Sequence, residues 1–547
     1  MTKKSELLMP AGSLEKLKVA VLYGADAVYM GTPDMSLRTK SNFTLEEVLE
    51  GINFAHAHGT RAYLTLNLFS HNRDIAKLPE YLETIRSVKP DGVIIADPGV
   101  FHFVKTHAPE LDLHISTQAN VCSWLSVQFW ESIGADLIVL AREVSFEELK
   151  EIREKCPDIK LEAFIHGAMC MTYSGRCLLS NYMAERGANQ GNCANSCRWH
   201  YKVHMKLKDG TVKELELNEH TVEMFDFFLE EEHRLGELLP IEEDERGSYI
   251  LNAKDLCLMP KLNEYLEIGV DSLKVEGRNR SAYYVGVAAR AYRSAIDDWY
   301  ADRENWQPDK YMRELNTIPN KGYSLAFHEG RLTHHAHNYE DTHIFSEWEY
   351  AGILRETGED AFYMEVKNRI EYGDVLEFVP HGNREPILLR IYQFENVRKN
   401  KITTEEGVHS GTNALLKIPF AWFHEENIAD LQKDFPAYTL VRKERALTQE
   451  EWARLKLDRI ALSIEGGKGS EEKYQDQLEI LVENIESEQN ERRFRSPRMG
   501  AEGCCGRGCN GCLRFWNDDK YTKAREVLRS RKQGSMLSKA EASDINE

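Results

Sequence analysis

No uninterrupted apolar run in the 547 residues approaches the length of a membrane span. The opening Met1-Thr2-Lys3-Lys4-Ser5-Glu6 runs straight into a strand-like segment, without the apolar region and small-residue cleavage site of an export signal. A chain with no membrane contact, working in the cytoplasm, is expected. Positive charge is also scarce: 69 Lys and Arg stand against 89 Asp and Glu, a formal net charge of −20. This excludes a surface coated in cation for general nucleic-acid binding and leaves room only for a local basic groove. Two hydrolase hallmarks are missing as well. His328-Glu329 and His424-Glu425 each lack the second histidine of a His-Glu-x-x-His zinc site, and no Gly-x-Ser-x-Gly elbow occurs. Eleven cysteines in a reducing compartment are not a disulfide scaffold, so their clustering matters more than their number.

What is present begins with repetition. The length predicts two or three domains. Short apolar runs, at Glu6–Pro10, Ala27–Gly31, Arg61–Asn67, Gly92–Ala96, Leu113–Gln118, Leu137–Ala141, Leu161–Gly167 and Asp271–Gly277, alternate with helical patterns. Continuous apolar strands between amphipathic helices indicate a parallel sheet covered on both faces. Eight such units favour a closed (β/α)8 TIM-like barrel over an open doubly wound sheet. We place the barrel over residues 1–335, interrupted by a cysteine loop (170–197) and an acidic stretch (about 210–247) read as a solvated insertion. Residues 345–445 change to short alternating runs with turn signals, a small all-β domain expected to form a β-barrel, with a sandwich as the alternative. Residues 446–547 form a helical, charged, Cys-containing extension whose last residues are expected to be disordered.

Barrel active sites sit at the C-terminal strand ends. Here those ends carry Asn67, Asp97, Gln118, Arg142, His166 and Glu276, which together suggest a polar pocket although each alone serves as well as a helix cap or loop residue. The seventh strand leads into Cys170 and Cys177, followed by Cys193 and Cys197. Four thiolates at close quarters repel unless a metal shares their charge. Such a set suits an iron–sulfur cluster or structural zinc, though the paired C-x-x-C knuckles of zinc ribbons are absent; unliganded thiols are the remaining alternative. Cys122, Cys156 and Cys257 are isolated and read as packed hydrophobes. A second set, Cys504, Cys505, Cys509 and Cys512, contains the Cys-x-x-x-Cys-x-x-Cys spacing of radical S-adenosylmethionine enzymes. It lies beyond the barrel with no strand after it, so a zinc knuckle or an auxiliary cluster fits it better.

The run Glu162-Ala-Phe-Ile-His-Gly-Ala-Met-Cys-Met-Thr-Tyr-Ser-Gly-Arg-Cys-Leu-Leu-Ser180 resembles the signature of the U32 peptidase family, also called collagenase-like. Lys274-Val-Glu-Gly-Arg278 is similar to that family's second motif, and Leu8-Met-Pro-Ala-Gly12 with Gly24-Ala-Asp-Ala-Val-Tyr29 resembles its first strand–helix–strand unit. Asp97-Pro-Gly99, Ser116-Thr-Gln-Ala-Asn120 and Gly175-Arg-Cys-Leu-Leu-Ser180 resemble the branch that hydroxylates tRNA. The resemblance covers roughly residues 5 to 445. It implies a four-iron–four-sulfur cluster on Cys170, Cys177, Cys193 and Cys197, and oxygen-independent 5-hydroxylation of a wobble uridine with prephenate as hydroxyl source. Sister branches act on a ribosomal RNA base or a quinone precursor, and the peptidase name is a competing claim.

On this reading Arg142, Lys274 and Arg278 are candidates to hold the carboxylates of an anionic donor, with Gln118 and Asn67 as further binding residues. Glu276 or His166 is a candidate to move a proton, unless Glu276 merely pairs with Lys274 or Arg278. The RNA partner, a tRNA anticodon loop, would be met at Arg398-Lys-Asn-Lys401 and at Arg492-Arg-Phe-Arg-Ser-Pro-Arg498, unless the latter is a solvated linker. Nothing in the sequence names an electron donor. The rival readings are a peptidase and an RNA-binding module with a structural metal.

Overall fold

The computed structural model describes residues 4–31, 43–67, 70–169, 253–330 and most of 346–491, plus short segments elsewhere between 204 and 336. Eight parallel strands occupy the predicted places. They are β1 (Glu6–Ala11), β2 (Ala27–Gly31), β3 (Arg61–Leu66), β4 (Gly92–Ile95), β5 (Asp112–Ile115), β6 (Leu137–Val139), β7 (Lys160–Gly167) and β8 (Ser272–Val275). Each pairs with the next in parallel through β7, and β8 pairs in parallel with both β7 and β1. The sheet therefore closes on itself as a TIM-like barrel, and the open-sheet alternative is set aside. A short strand, Asp255–Cys257, pairs antiparallel to β7 outside this ring.

Local chemistry sets the helix starts. Ser13 caps α1 (Leu14–Leu22), and Thr44 with Glu47 forms a capping box on α2 (Leu45–Ala57). Ser145 with Glu148 does the same for α6 (Phe146–Lys155). Between them run α3 (Leu78–Val88), α4 (Pro98–His107) and α5 (Trp124–Ser132). The long α8 (Ala282–Ala301), after the short α7 (Leu262–Glu267), is buried along most of its length against α1 and the barrel wall.

An eight-stranded antiparallel sheet follows, of β9 (Trp348–Thr357), β10 (Ala361–Val366), β11 (Val375–Val379), β12 (Ile387–Arg390), β13 (Glu395–Arg398), β14 (Lys401–Thr404), β15 (Leu415–Pro419) and β16 (Leu440–Glu444). Its core is its own, built on Phe362, Phe378, Phe394 and Phe435. The sheet is fastened to the barrel by polar contacts. Tyr23 Oη donates to Val379 O (2.8 Å) and accepts from Leu440 N (2.8 Å). Arg442, buried, bonds Glu314, Thr317 and Glu377. Helix α9 (Gln449–Glu465) returns to the barrel, where Glu465 accepts from Ser324 Oγ (3.1 Å) and Leu325 N (2.7 Å).

The acidic stretch contributes three short antiparallel strand pairs between His204 and Tyr249. Cys170, Cys177, Cys193 and Cys197 lie outside the described residues, as do Cys504, Cys505, Cys509 and Cys512. Residues Val482–Glu547 form a second compact unit, of which only the end of α10 (Glu471–Glu491) is described. Among the described residues no helix is long and apolar enough to cross a membrane.

Candidate active site

The barrel interior is unusually polar. Between small apolar contacts of Leu8, Ala27, Tyr29, Tyr63 and Ile94, it holds Glu6, His114, Glu162, Ser272 and Lys274, all buried. Lys274 Nζ meets Glu162 Oε1 at 2.7 Å and lies over the Tyr29 ring at 4.5 Å. An ion pair this deep must satisfy its remaining hydrogen bonds to hold, and Ser272 Oγ, 3.0 Å from Glu162 Oε2, does part of that.

Nearer the C-terminal ends, Arg278 Nη1 donates to Thr65 Oγ1 (3.0 Å) and its guanidinium is 5.6 Å from the Tyr29 ring centre. Arg142 stacks on Phe164 at 4.0 Å and approaches Glu276 Oε2 at 3.7 Å. Tyr29 Oη donates to Val275 O (3.0 Å), with Glu276 Oε2 3.4 Å away. The arrangement is a part-exposed carboxylate beside the Arg142 guanidinium, with Arg278 and the ammonium of Lys274 against the neighbouring Tyr29 ring. It suits an anionic small molecule, with one carboxylate placed to take or give a proton.

Backbone shape explains why the motifs carry glycine. A Cβ on Gly12 would lie 1.8 Å from the Arg278 carbonyl oxygen, so the first and second motifs meet where only glycine fits. Gly167, at φ +125°, lies against the Glu276 backbone, where a Cβ would come within 2.6 Å of the Glu276 Cβ. The chain therefore leaves β7 beside Glu276 and reaches buried Met169, the residue before Cys170.

Several expected residues converge here and others do not. Arg142, Glu276 and Arg278 share the mouth, and Lys274 lies one layer deeper, held by Glu162. Gln118 is buried in the turn Thr117–Ala119 after β5. Asn67 is buried at the end of β3, with an Oδ1 that meets no hydrogen-bond donor among the described residues. Asp97 is a helix cap, accepting from Gly99 N (2.8 Å) and Val100 N (3.1 Å). His166 requires a correction. Lys274 pairs with Phe164 but Val275 pairs with His166, so β7 holds one extra residue and its side-chain alternation reverses. His166 thus turns outward among Tyr284, Tyr292 and Tyr323, with Nδ1 3.3 Å from Tyr292 Oη. Burial lowers its pKa to about 3, so it stays neutral at physiological pH and is poorly suited to carrying a proton.

Sequence reasoning missed Tyr29, Thr65 and Glu162. The legible signal was Glu162, an acid within an apolar strand opposite the lysine of another. Of the basic runs, Arg398 and Lys401 pair across the β13–β14 hairpin, while Arg492–Arg498 falls outside the described residues. Cys156 and Cys257 are buried and Cys122 is half-buried, each a free thiol, as packed hydrophobes would be.

Residues 12–338 match the sequence profile of peptidase family U32. The chain is 38% identical over 461 residues to tRNA hydroxylation protein P of Escherichia coli, covering 80% of this chain and 98% of that protein. It is 38% identical over 382 residues to tRNA hydroxylation protein P1 of Bacillus subtilis, covering 69% and 84%. A protein named collagenase from Porphyromonas gingivalis is 29% identical over 348 residues, covering 61% and 76%.

Proposed function

The chain belongs to peptidase family U32, and from that premise we propose that it is an enzyme of tRNA hydroxylation. The observation that carries the reading is 38% identity across 98% of the length of tRNA hydroxylation protein P. In finer detail, the proposed product is 5-hydroxyuridine at the wobble position, formed without molecular oxygen in the cytoplasm. Prephenate is the proposed hydroxyl source. Its two carboxylates match Arg142 and Arg278 at the mouth, with Lys274 below. Glu276, part-exposed between Arg142 and Tyr29, is the group placed to move a proton.

Cys170, Cys177, Cys193 and Cys197 form a four-thiolate donor set suited to a four-iron–four-sulfur cluster, which would supply redox chemistry when bound. Gly167, packed against Glu276, precedes Cys170 by three residues in the sequence. The tail set Cys504, Cys505, Cys509 and Cys512 is proposed as a second metal site. An anticodon loop is already unpaired, so presenting its base to the mouth costs less than extruding one from a duplex. Peptide hydrolysis has less support. A Cys170–His166 pair would need an imidazole able to accept a proton, and His166 is enclosed by tyrosines with its pKa near 3.

The test is mass spectrometry of tRNA nucleosides from a deletion strain with no second hydroxylating system, rescued with wild type or Cys170→Ala. Hydroxylated uridine and its derivatives should vanish on deletion and return only with wild type. Unchanged nucleosides in the deletion strain would overturn the reading.

A further inference from the structure

The seam that closes the barrel contains a hydrogen-counting problem. Ser272 Oγ on β8 lies 3.0 Å from Glu6 Oε1 on β1 and 3.0 Å from Glu162 Oε2 on β7. A serine hydroxyl carries one hydrogen, and an ionised carboxylate only accepts. With both glutamates ionised, one of these contacts would set two acceptors together with no hydrogen between them. All three residues are buried, Glu6 at 6%, Glu162 at 0% and Ser272 at 1% exposure, so solvent does not relieve the contact. One proton on a carboxyl resolves it. We propose that Glu6, Ser272 and Glu162 share a single proton across the closing seam, and that its position governs how firmly Lys274 is held beneath the active-site mouth.

Two arrangements satisfy every atom. In the first, Glu6 Oε1–H donates to Ser272 Oγ, Ser272 donates to Glu162 Oε2, and ionised Glu162 holds Lys274. In the second, the Glu6 proton has passed to Ser272 as the Ser272 hydrogen passed to Glu162. Glu162 is then neutral, Glu6 is the carboxylate, and Lys274, still an ammonium ion, has lost its counter-charge. No electron moves. Each arrangement has a cation waiting: Lys274 at 2.7 Å from Glu162, and Arg61 of β3 in contact with Glu6 Oε2.

Tyr63 Oη also donates to Glu6 Oε2 (2.9 Å), and His114 of β5 packs edge-on against Tyr63 at 4.5 Å. Burial and the Coulomb field of Lys274 keep His114 neutral, with a pKa of about 3. It therefore adds no charge to the network. Burial, with Glu162 nearby, raises the Glu6 carboxyl, in line with a proton kept there. The second arrangement frees Lys274 to rise toward an anion bound at Arg142 and Arg278. That consequence rests on the anion-binding role given above to Lys274; the proton count does not.

Infrared difference spectroscopy on the full chain without RNA, with and without 13C-glutamate, decides the matter. Wild type should show, at pH 7, a carboxylic-acid carbonyl band that shifts with the label. Glu6→Gln and Glu162→Gln, each checked for fold by circular dichroism, should both lose it, since the remaining glutamate then pairs with its own cation. Lys274→Met should keep the band at an altered frequency, because the proton moves toward Glu162 when its cation is gone. A wild-type spectrum without the band, or a band indifferent to Glu6→Gln, would overturn the shared proton. An unmoved band in Lys274→Met would overturn its link to the lysine. None of these readings depends on tRNA, so failure of the hydroxylation assignment is seen separately in the nucleoside analysis.

Discussion

Glu276 is the side chain on which the proposed chemistry turns. It keeps partial access to solvent while Arg142 and Tyr29 restrict its orientation. Glu276→Gln preserves shape and removes the proton acceptor. Single-turnover hydroxylation should fall by roughly 10²–10⁴-fold, with thermal stability nearly unchanged. An undiminished rate would assign the proton to another group. Arg278 is expected to act in binding. Arg278→Lys keeps the charge but loses the planar fork and the bond to Thr65. The KM for the anionic donor should rise about tenfold, near 1.4 kcal/mol, with kcat less affected; a loss confined to kcat would count against a binding role.

At the scale of elements, the eight barrel strands were legible because buried parallel strands write themselves as continuous apolar runs. Register was not legible. The extra residue at the β7–β8 junction depends on which strand pairs with which, and it sent His166 to the wrong face in any reading based on simple alternation. The salt-bridged interior was half legible: Glu162 and Lys274 interrupt apolar strands, but only closure of the ring brings them together. The same closure makes Gly12 sensitive. Gly12→Ala sets a methyl against the Arg278 carbonyl oxygen, and overpacking against backbone should cost about 3 kcal/mol. Chemical denaturation would show it. A cost below about 0.5 kcal/mol would mean that the two motifs do not press together in solution.

At the scale of the whole molecule, the antiparallel sheet and the barrel are joined through a few buried groups. Tyr23→Phe leaves Val379 O and Leu440 N without their partner. It should cost about 1–3 kcal/mol and raise amide exchange at β11 and β16 while sparing β1 to β8. Uniform exchange across both would refute the local coupling. His381, packed on Tyr23, has its pKa lowered by burial from 6.5 to about 4. The unfolded chain therefore binds the extra proton first. Stability from this group is complete above about pH 6.5 and is lost as pH falls toward 4, by about 1–3 kcal/mol. Glu6, whose carboxyl is raised, acts in the opposite sense above pH 4.5, so the comparison that matters is wild type against His381→Phe. The difference between their stability curves should narrow as pH falls through this window; parallel curves would remove His381 from the account.

The barrel closes with a strand that arrives late. β7 ends at Gly167 and β8 begins at Ser272, about a hundred residues on. At ribosomal speeds of roughly 5–20 residues per second, seven strands wait on the order of ten seconds for the eighth. Throughout that interval β1 and β7 present bare parallel edges, and Glu6 and Glu162 are parted from the serine that bridges them. During synthesis, then, the nascent chain has the greatest need of a chaperone just as its cysteine-bearing segment emerges.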